Sequence, residues 1–187
     1  MSDFDNNRVV QYVPADISEP PMVQQLRERR GGSLLNLDRM LLHSPNFALA
    51  WNTMFGTLRG NAIDIHQKYK ELAICSIAVL NKAEYEFYQH EKPWLEAGAT
   101  ATQVSAIRLV NSDAFDKSCF DTLELKVIQL TIEMTTKIET SDELMSNLKT
   151  ELGDKQLVEL VGVIAGYNMV SRFLVAMHIT ADGEDNN

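Results

Sequence analysis

The sequence predicts an all-α protein of about eight or nine helices. Apolar residues recur at three- and four-residue spacing through most of the 187 positions. No stretch alternates convincingly between apolar and polar residues as a half-buried strand would. Helix-start and helix-stop residues punctuate the periodic segments at plausible lengths.

Residues 1–19 are expected to form an extended N-terminal arm. Within it and just beyond, "VVQYVPADISEPP" carries three prolines that oppose a regular helix. A first helix is expected from Pro20 or Pro21 to Arg30, stopped by Gly31 and Gly32. "NLDRMLLHS" reads as a short helix capped by Asn36. "SPNFALAWNTMFGTLRG" places Ser44 at a cap and Pro45 at the first helical position, with an end near Gly60. The next helix is expected from about Asp64 to Leu80. "NKAE" resembles a capping box, with Asn81 as cap, Glu84 three residues on and a helix start at Lys82. Helical patterns follow over 100–110, 119–138, 141–151 and 154–178. These elements form one expected domain over residues 20–180, followed by an acidic, disordered tail over 181–187.

A formal net charge of -9 argues against a general nucleic-acid binder, whose footprint is basic, and against docking on an anionic membrane. The N-terminus lacks the basic and apolar regions of a signal peptide. The apolar run "LVGVIAGYNMV" is shorter than a membrane span. A cytoplasmic chain with free thiols is therefore expected, since only Cys75 and Cys119 are present and no CxxC occurs. Zinc-ligand spacing is absent. The terminal apolar helix carries Gly162 and Gly166 on one face. It fits either a central helix closely approached by a neighbour or a helix at a subunit interface.

The chemistry concentrates in "ELAICSIAVLNKAEYEFYQH", residues 71 to 90. On the helix after Asn81, Ala83, Glu86, Phe87 and His90 share one stripe. Trp94 and Ala97 extend it if the helix survives Pro93. Glu86 and His90 are i and i+4, so their side chains can meet. Such a pair either relays protons or is a satisfied buried pair with a structural role. Glu71 either lies solvated beside Lys68 and Lys70 or is carried next to the pair by antiparallel packing across the turn near Asn81. Cys75 reads as a small buried hydrophobe, because nothing supplies an electropositive setting. In the last helix Asn168 and Arg172, also i and i+4, mark a polar spot beside Tyr167.

"YKELAICSIAVLNKAEYEFYQHEKPWLEAGATATQVSAI" resembles the core of the carboxymuconolactone decarboxylase and alkylhydroperoxidase D-like (AhpD-like) family. "RRGGSLLNLDRMLLHSP" and "ELVGVIAGYNMVSRFL" resemble flanking segments of a branch lacking the redox cysteines. The resemblance spans most of residues 20–178. It implies an AhpD-like helical bundle that assembles as a dimer, trimer or hexamer. The alkylhydroperoxidase motif is E-x11-C-x-x-C-x-x-x-H. Counted back from His90, its cysteine positions hold Ala83 and Glu86, and its glutamate is Glu71. Without those thiols the dithiol peroxidase cycle is lost. The decarboxylase branch resembles this chain in having a glutamate four residues before the histidine.

The resemblance thus implies a lyase-like, cofactor-independent acid–base enzyme acting on a small organic acid or lactone. His90 would be the general acid/base, Glu86 and Glu71 its proton partners, and Tyr85 a pocket residue or hydrogen-bond donor. The alternatives are an alkylhydroperoxidase- or peroxiredoxin-like antioxidant protein, a non-catalytic oligomeric ligand binder, and a metal site built from Glu71, Glu86 and His90.

Overall fold

The computed structural model describes residues 8–182. It is helical throughout, with eight α-helices and no strand among the described residues. They are α1 (Met22–Arg29), α2 (Asn36–Leu41), α3 (Pro45–Arg59), α4 (Gln67–Leu80), α5 (Glu84–Glu96), α6 (Ala101–Ile107), α7 (Thr122–Thr136) and α8 (Asp142–Ala176). A 3-10 turn at Lys117–Cys119 precedes α7. The expected terminal stretches 1–7 and 183–187 lie outside the described residues.

Several helix ends differ from expectation, each for a local reason. α2 is entered from Leu35, and the Asp38 carboxylate accepts the Leu35 amide at 3.3 Å. Asn36 is therefore not the cap. Its amide donates to the carbonyls of Thr180 and Ala181. α4 begins at Gln67, where the ring of His66 accepts the Lys68 amide. Asn81 ends α4 and does not open α5, which starts at Glu84. Lys82 takes a left-handed turn at φ 57, so no helix starts there. The Asn81 side chain donates instead to Asn168 Oδ1 at 3.0 Å and Ser171 Oγ at 2.7 Å. α5 continues through Pro93 to Glu96, so Trp94 stays on the buried stripe. The two expected C-terminal helices are the two halves of α8, separated at Gly153 by a left-handed backbone at φ 75 that favours glycine.

The chain divides into two compact units, one formed by the described residues 8–56 and 174–182 and the other by residues 57–173. In the first, the segment after Arg8 meets the segment after α8. Arg8 donates to the His178 carbonyl and Thr180, and its guanidinium stacks on Tyr12. Arg30 pairs with the buried Asp38.

In the second unit α4 packs chiefly on α5 and α7. Nine consecutive α4 residues, Lys70 to Ala78, are buried. A helix buried all round is a core helix, so α4, rather than the last helix, takes the central place. α8 buries Leu160, Val163, Ile164 and Tyr167 on one side and leaves Val158 and Met169 exposed. At Gly162 no neighbouring side chain or segment among the described residues comes within 4 Å of where a Cβ would sit, so no close approach among them requires that glycine. By length and composition α8 passes the test for a membrane span, contrary to the shorter apolar run read from the sequence. Its fully buried Leu160, Val163 and Ile164 give it the character of a core helix.

A polar network ties the α4–α5 turn to α7 and α8. Asn168 accepts from Asn81 and donates to Thr135 Oγ1 at 3.0 Å, and Arg172 donates to the Asn168 carbonyl at 2.8 Å. Buried amides need such partners, since an orphaned one costs about 1–3 kcal/mol.

Candidate functional site

The candidate site lies within the second unit, where α4 and α5 face each other. Ala83, Glu86, Phe87, His90 and Trp94 are all buried, as one stripe of α5 directed into the core predicts. The antiparallel return across Asn81 brings Glu71 of α4 to His90. Glu71 Oε2 accepts a hydrogen bond from His90 Nδ1 at 2.6 Å. The two residues are 2% and 4% exposed, so little solvent screens their interaction. Glu71 is therefore not a solvated residue beside Lys68 and Lys70. Its other oxygen, Oε1, accepts from the side-chain amide of Gln67, one turn earlier on α4. The Tyr167 ring of α8 stands edge-on to the imidazole, with centroids 5.1 Å apart and planes at 89°. An ionised carboxylate can only accept, so Nδ1 is the donor of this bond.

Glu86 does not form the expected hydrogen-bonded pair with His90. It is 1% exposed, and both carboxyl oxygens lack a hydrogen-bond partner. Burial pushes its carboxyl well above the ordinary carboxylate range, so it is held neutral. A neutral carboxyl has little Coulombic pull on an imidazole already engaged by a carboxylate. Trp94, one turn beyond His90, is fully buried and its indole Nε1 also has no hydrogen-bond partner. Tyr85 is buried in the first turn of α5, off the Glu86–His90 stripe.

Cys75 lies one turn beyond Glu71 on α4 and is fully buried. Burial raises its thiol well above the usual value, and the Glu71 carboxylate raises it further. That is the opposite of an activated thiolate. Cys75 and Cys119 are both free. Among the described residues no group of three histidine, cysteine, aspartate or glutamate side chains is placed to hold a metal.

Two features escaped the sequence reading. Gln67 holds Glu71 from four residues away, a spacing visible in "QKYKE". Glu124, also buried, accepts from Gln103 on both oxygens at 3.0 Å and pairs with Lys68 at 2.7 Å. Its signal was the two capping boxes, Thr100 with Gln103 and Asp121 with Glu124, whose acceptors serve a second purpose here.

No protein-family description matches the chain, and no curated protein does either. Solved structures do. An uncharacterized peroxidase-related protein from Silicibacter sp. TM1040 superposes with a TM-score of 0.77 at 13% identity, covering 95% of this chain and 93% of that one. The debrominase Bmp8, in complex with 2,3,4-tribromopyrrole, superposes with a TM-score of 0.72 at 17% identity and the same coverage. Such low identities speak for the fold alone. Together with the helical architecture, they show that this chain shares the all-α fold of these two proteins.

Proposed function

We propose that this chain is a cofactor-independent acid–base enzyme acting on a small organic acid or lactone. The observation that carries the reading is the buried Glu71–His90 dyad at 2.6 Å. In this reading His90 Nε2 removes a proton from the carbon beside a substrate carbonyl. Glu71 stabilises the imidazolium that forms, and the same proton returns at a neighbouring position or to the leaving fragment. Glu86, held neutral, serves as a proton donor rather than a second carboxylate base.

A dithiol peroxidase cycle has no support in the side chains: its cysteine positions hold Ala83 and Glu86, and Cys75 is buried with a raised thiol. The small halogenated ring bound by the debrominase supports a ligand of that size in a site of this fold. We also propose self-association. The surface of α3 supports it: Phe47, Leu49 and Met54 are exposed, and no charged residue occurs from Pro45 to Leu58 in a chain of net charge -9.

The test is deuterium exchange. The purified protein, incubated in heavy water with a panel of small lactones and enolisable acids, exchanges the acidic carbon-bound hydrogen of its substrate, read by proton NMR. His90→Gln abolishes that exchange while the helical circular-dichroism spectrum is kept. A His90→Gln protein as active as the parent would remove the central residue of the proposal.

A further inference from the structure

A hydrogen bond at one nitrogen fixes where that nitrogen lies but not the plane of an imidazole, which can still turn about the bond. Glu71 Oε2 fixes Nδ1 of His90 in this way. The plane of the ring is met from another helix. Tyr167 of α8 is 2% exposed, and its ring lies perpendicular to the imidazole, at 89° with centroids 5.1 Å apart. That is an attractive arrangement for two aromatic rings. In a close-packed interior, a turn of the imidazole drives it into the tyrosine ring or opens a void.

The next residue in the chain sets the register of α8 at this point. Asn168 accepts from Asn81, at the C-terminal end of α4, at 3.0 Å and donates to Thr135 Oγ1 of α7 at 3.0 Å. Tyr167 therefore cannot slide past His90 without breaking hydrogen bonds of a buried amide.

We propose that Tyr167 is a positioning residue: its aromatic ring fixes the plane of the His90 imidazole, and with it the direction in which Nε2 points. Glu71 on α4 and Tyr167 on α8 hold the imidazole of α5 from two different helices. The ring serves and the hydroxyl does not, so phenylalanine can replace tyrosine here and an aliphatic side chain cannot. The inference rests on the acid–base reading only for its effect on turnover; the order of the imidazole is read without a substrate.

The readout is the Nδ1 proton of His90 in nitrogen-labelled histidine spectra. The chain has four histidines, and the other three, His43, His66 and His178, are exposed. Their ring protons exchange with water too fast to be seen, whereas a buried proton held on a carboxylate gives a downfield signal. Its absence in His90→Gln assigns it. Tyr167→Leu is expected to speed its exchange with water about fivefold, equivalent to an aromatic contact of about 1 kcal/mol. Tyr167→Phe is expected to keep the parent rate. Leu148→Ala, a change at a fully buried core position in the first half of α8, is expected to lower the thermal midpoint and leave the exchange rate unchanged. Should Tyr167→Leu not fold, Tyr167→Met takes its place, since its flexible side chain fills the same space.

A parent without the downfield signal would overturn the proposal, as would an exchange rate that survives loss of the aromatic ring. So would a Tyr167→Phe protein as fast as Tyr167→Leu, which assigns the effect to the hydroxyl. A Leu148→Ala protein equally fast reduces Tyr167 to general core packing and overturns it too. Should the parent exchange no substrate hydrogen while the Nδ1 proton responds as expected, the acid–base reading fails and the positioning of His90 stands.

Discussion

Replacing Glu71 by glutamine keeps the shape of the side chain and removes its charge. In the native arrangement Oε1 accepts from the Gln67 amide and Oε2 from His90 Nδ1 at 2.6 Å. Glutamine offers one acceptor and one donor group in the same place. With its oxygen on His90, its amide hydrogens meet those of Gln67, donor against donor, until Gln67 turns its own amide. With its oxygen on Gln67, its amide faces Nδ1, and the imidazole must accept there and carry its proton on Nε2. The second arrangement is the wrong tautomer for a base acting through Nε2.

Either way one charge-assisted hydrogen bond is lost, about 2 kcal/mol within the usual range. For a chain of this length that lowers the thermal midpoint by roughly 4–8 °C. The rate of substrate deuterium exchange is expected to fall by roughly 10,000-fold, as it does when the carboxylate orienting a catalytic imidazole becomes an amide. Thermal unfolding by circular dichroism measures the first effect, and nitrogen-labelled histidine spectra identify the tautomer. A Glu71→Gln protein with an unchanged midpoint and an unchanged exchange rate refutes the view that this carboxylate anchors and orients His90.

Further expectations concern the surroundings of the dyad. Glu86 has a folded-state pKa raised well above its unfolded value, so the folded chain binds the extra proton. Its contribution to stability is complete below about pH 4.3, the unfolded value, and is lost as pH rises toward the folded value. The difference in stability between the parent and Glu86→Gln, followed by urea unfolding across pH, should therefore shift in favour of the variant as pH rises; a pH-independent difference contradicts a buried neutral carboxyl. Asn168→Ala leaves Asn81 and Thr135 without their shared partner and is expected to cost about 2–3 kcal/mol in urea unfolding, whereas a loss near zero would show that the network is dispensable. A chromogenic disulfide should titrate one thiol per native chain, Cys119, and two after denaturation; rapid reaction of Cys75 in the native protein contradicts its burial.

The architecture was legible because helix formation is largely local. Ser44 and Pro45 announced α3, Gly31 and Gly32 ended α1, and the apolar spacing of α4 and α5 survived packing unchanged. The misread ends, at Asn36 and Asn81, were asparagines whose side chains found distant partners at Thr180 and Ser171. A capping preference of about 1 kcal/mol cannot hold a side chain against two tertiary hydrogen bonds. The α5 helix passing Pro93 follows the same rule: the burial of Trp94 outweighs one missing backbone bond.

By itself the sequence determined the helices and the stripe carrying Glu86, His90 and Trp94, because residue spacing along one helix fixes a shared face. It placed Glu86 beside His90 by i, i+4 spacing and left Glu71 either solvated or carried to His90 across the turn. Only the packing of α4 on α5 decided between them, giving Glu71 the imidazole and sealing Glu86 in an apolar setting without a partner. The physical reason is that partner choice and protonation depend on desolvation, and desolvation is a property of the assembled core that no single helix possesses.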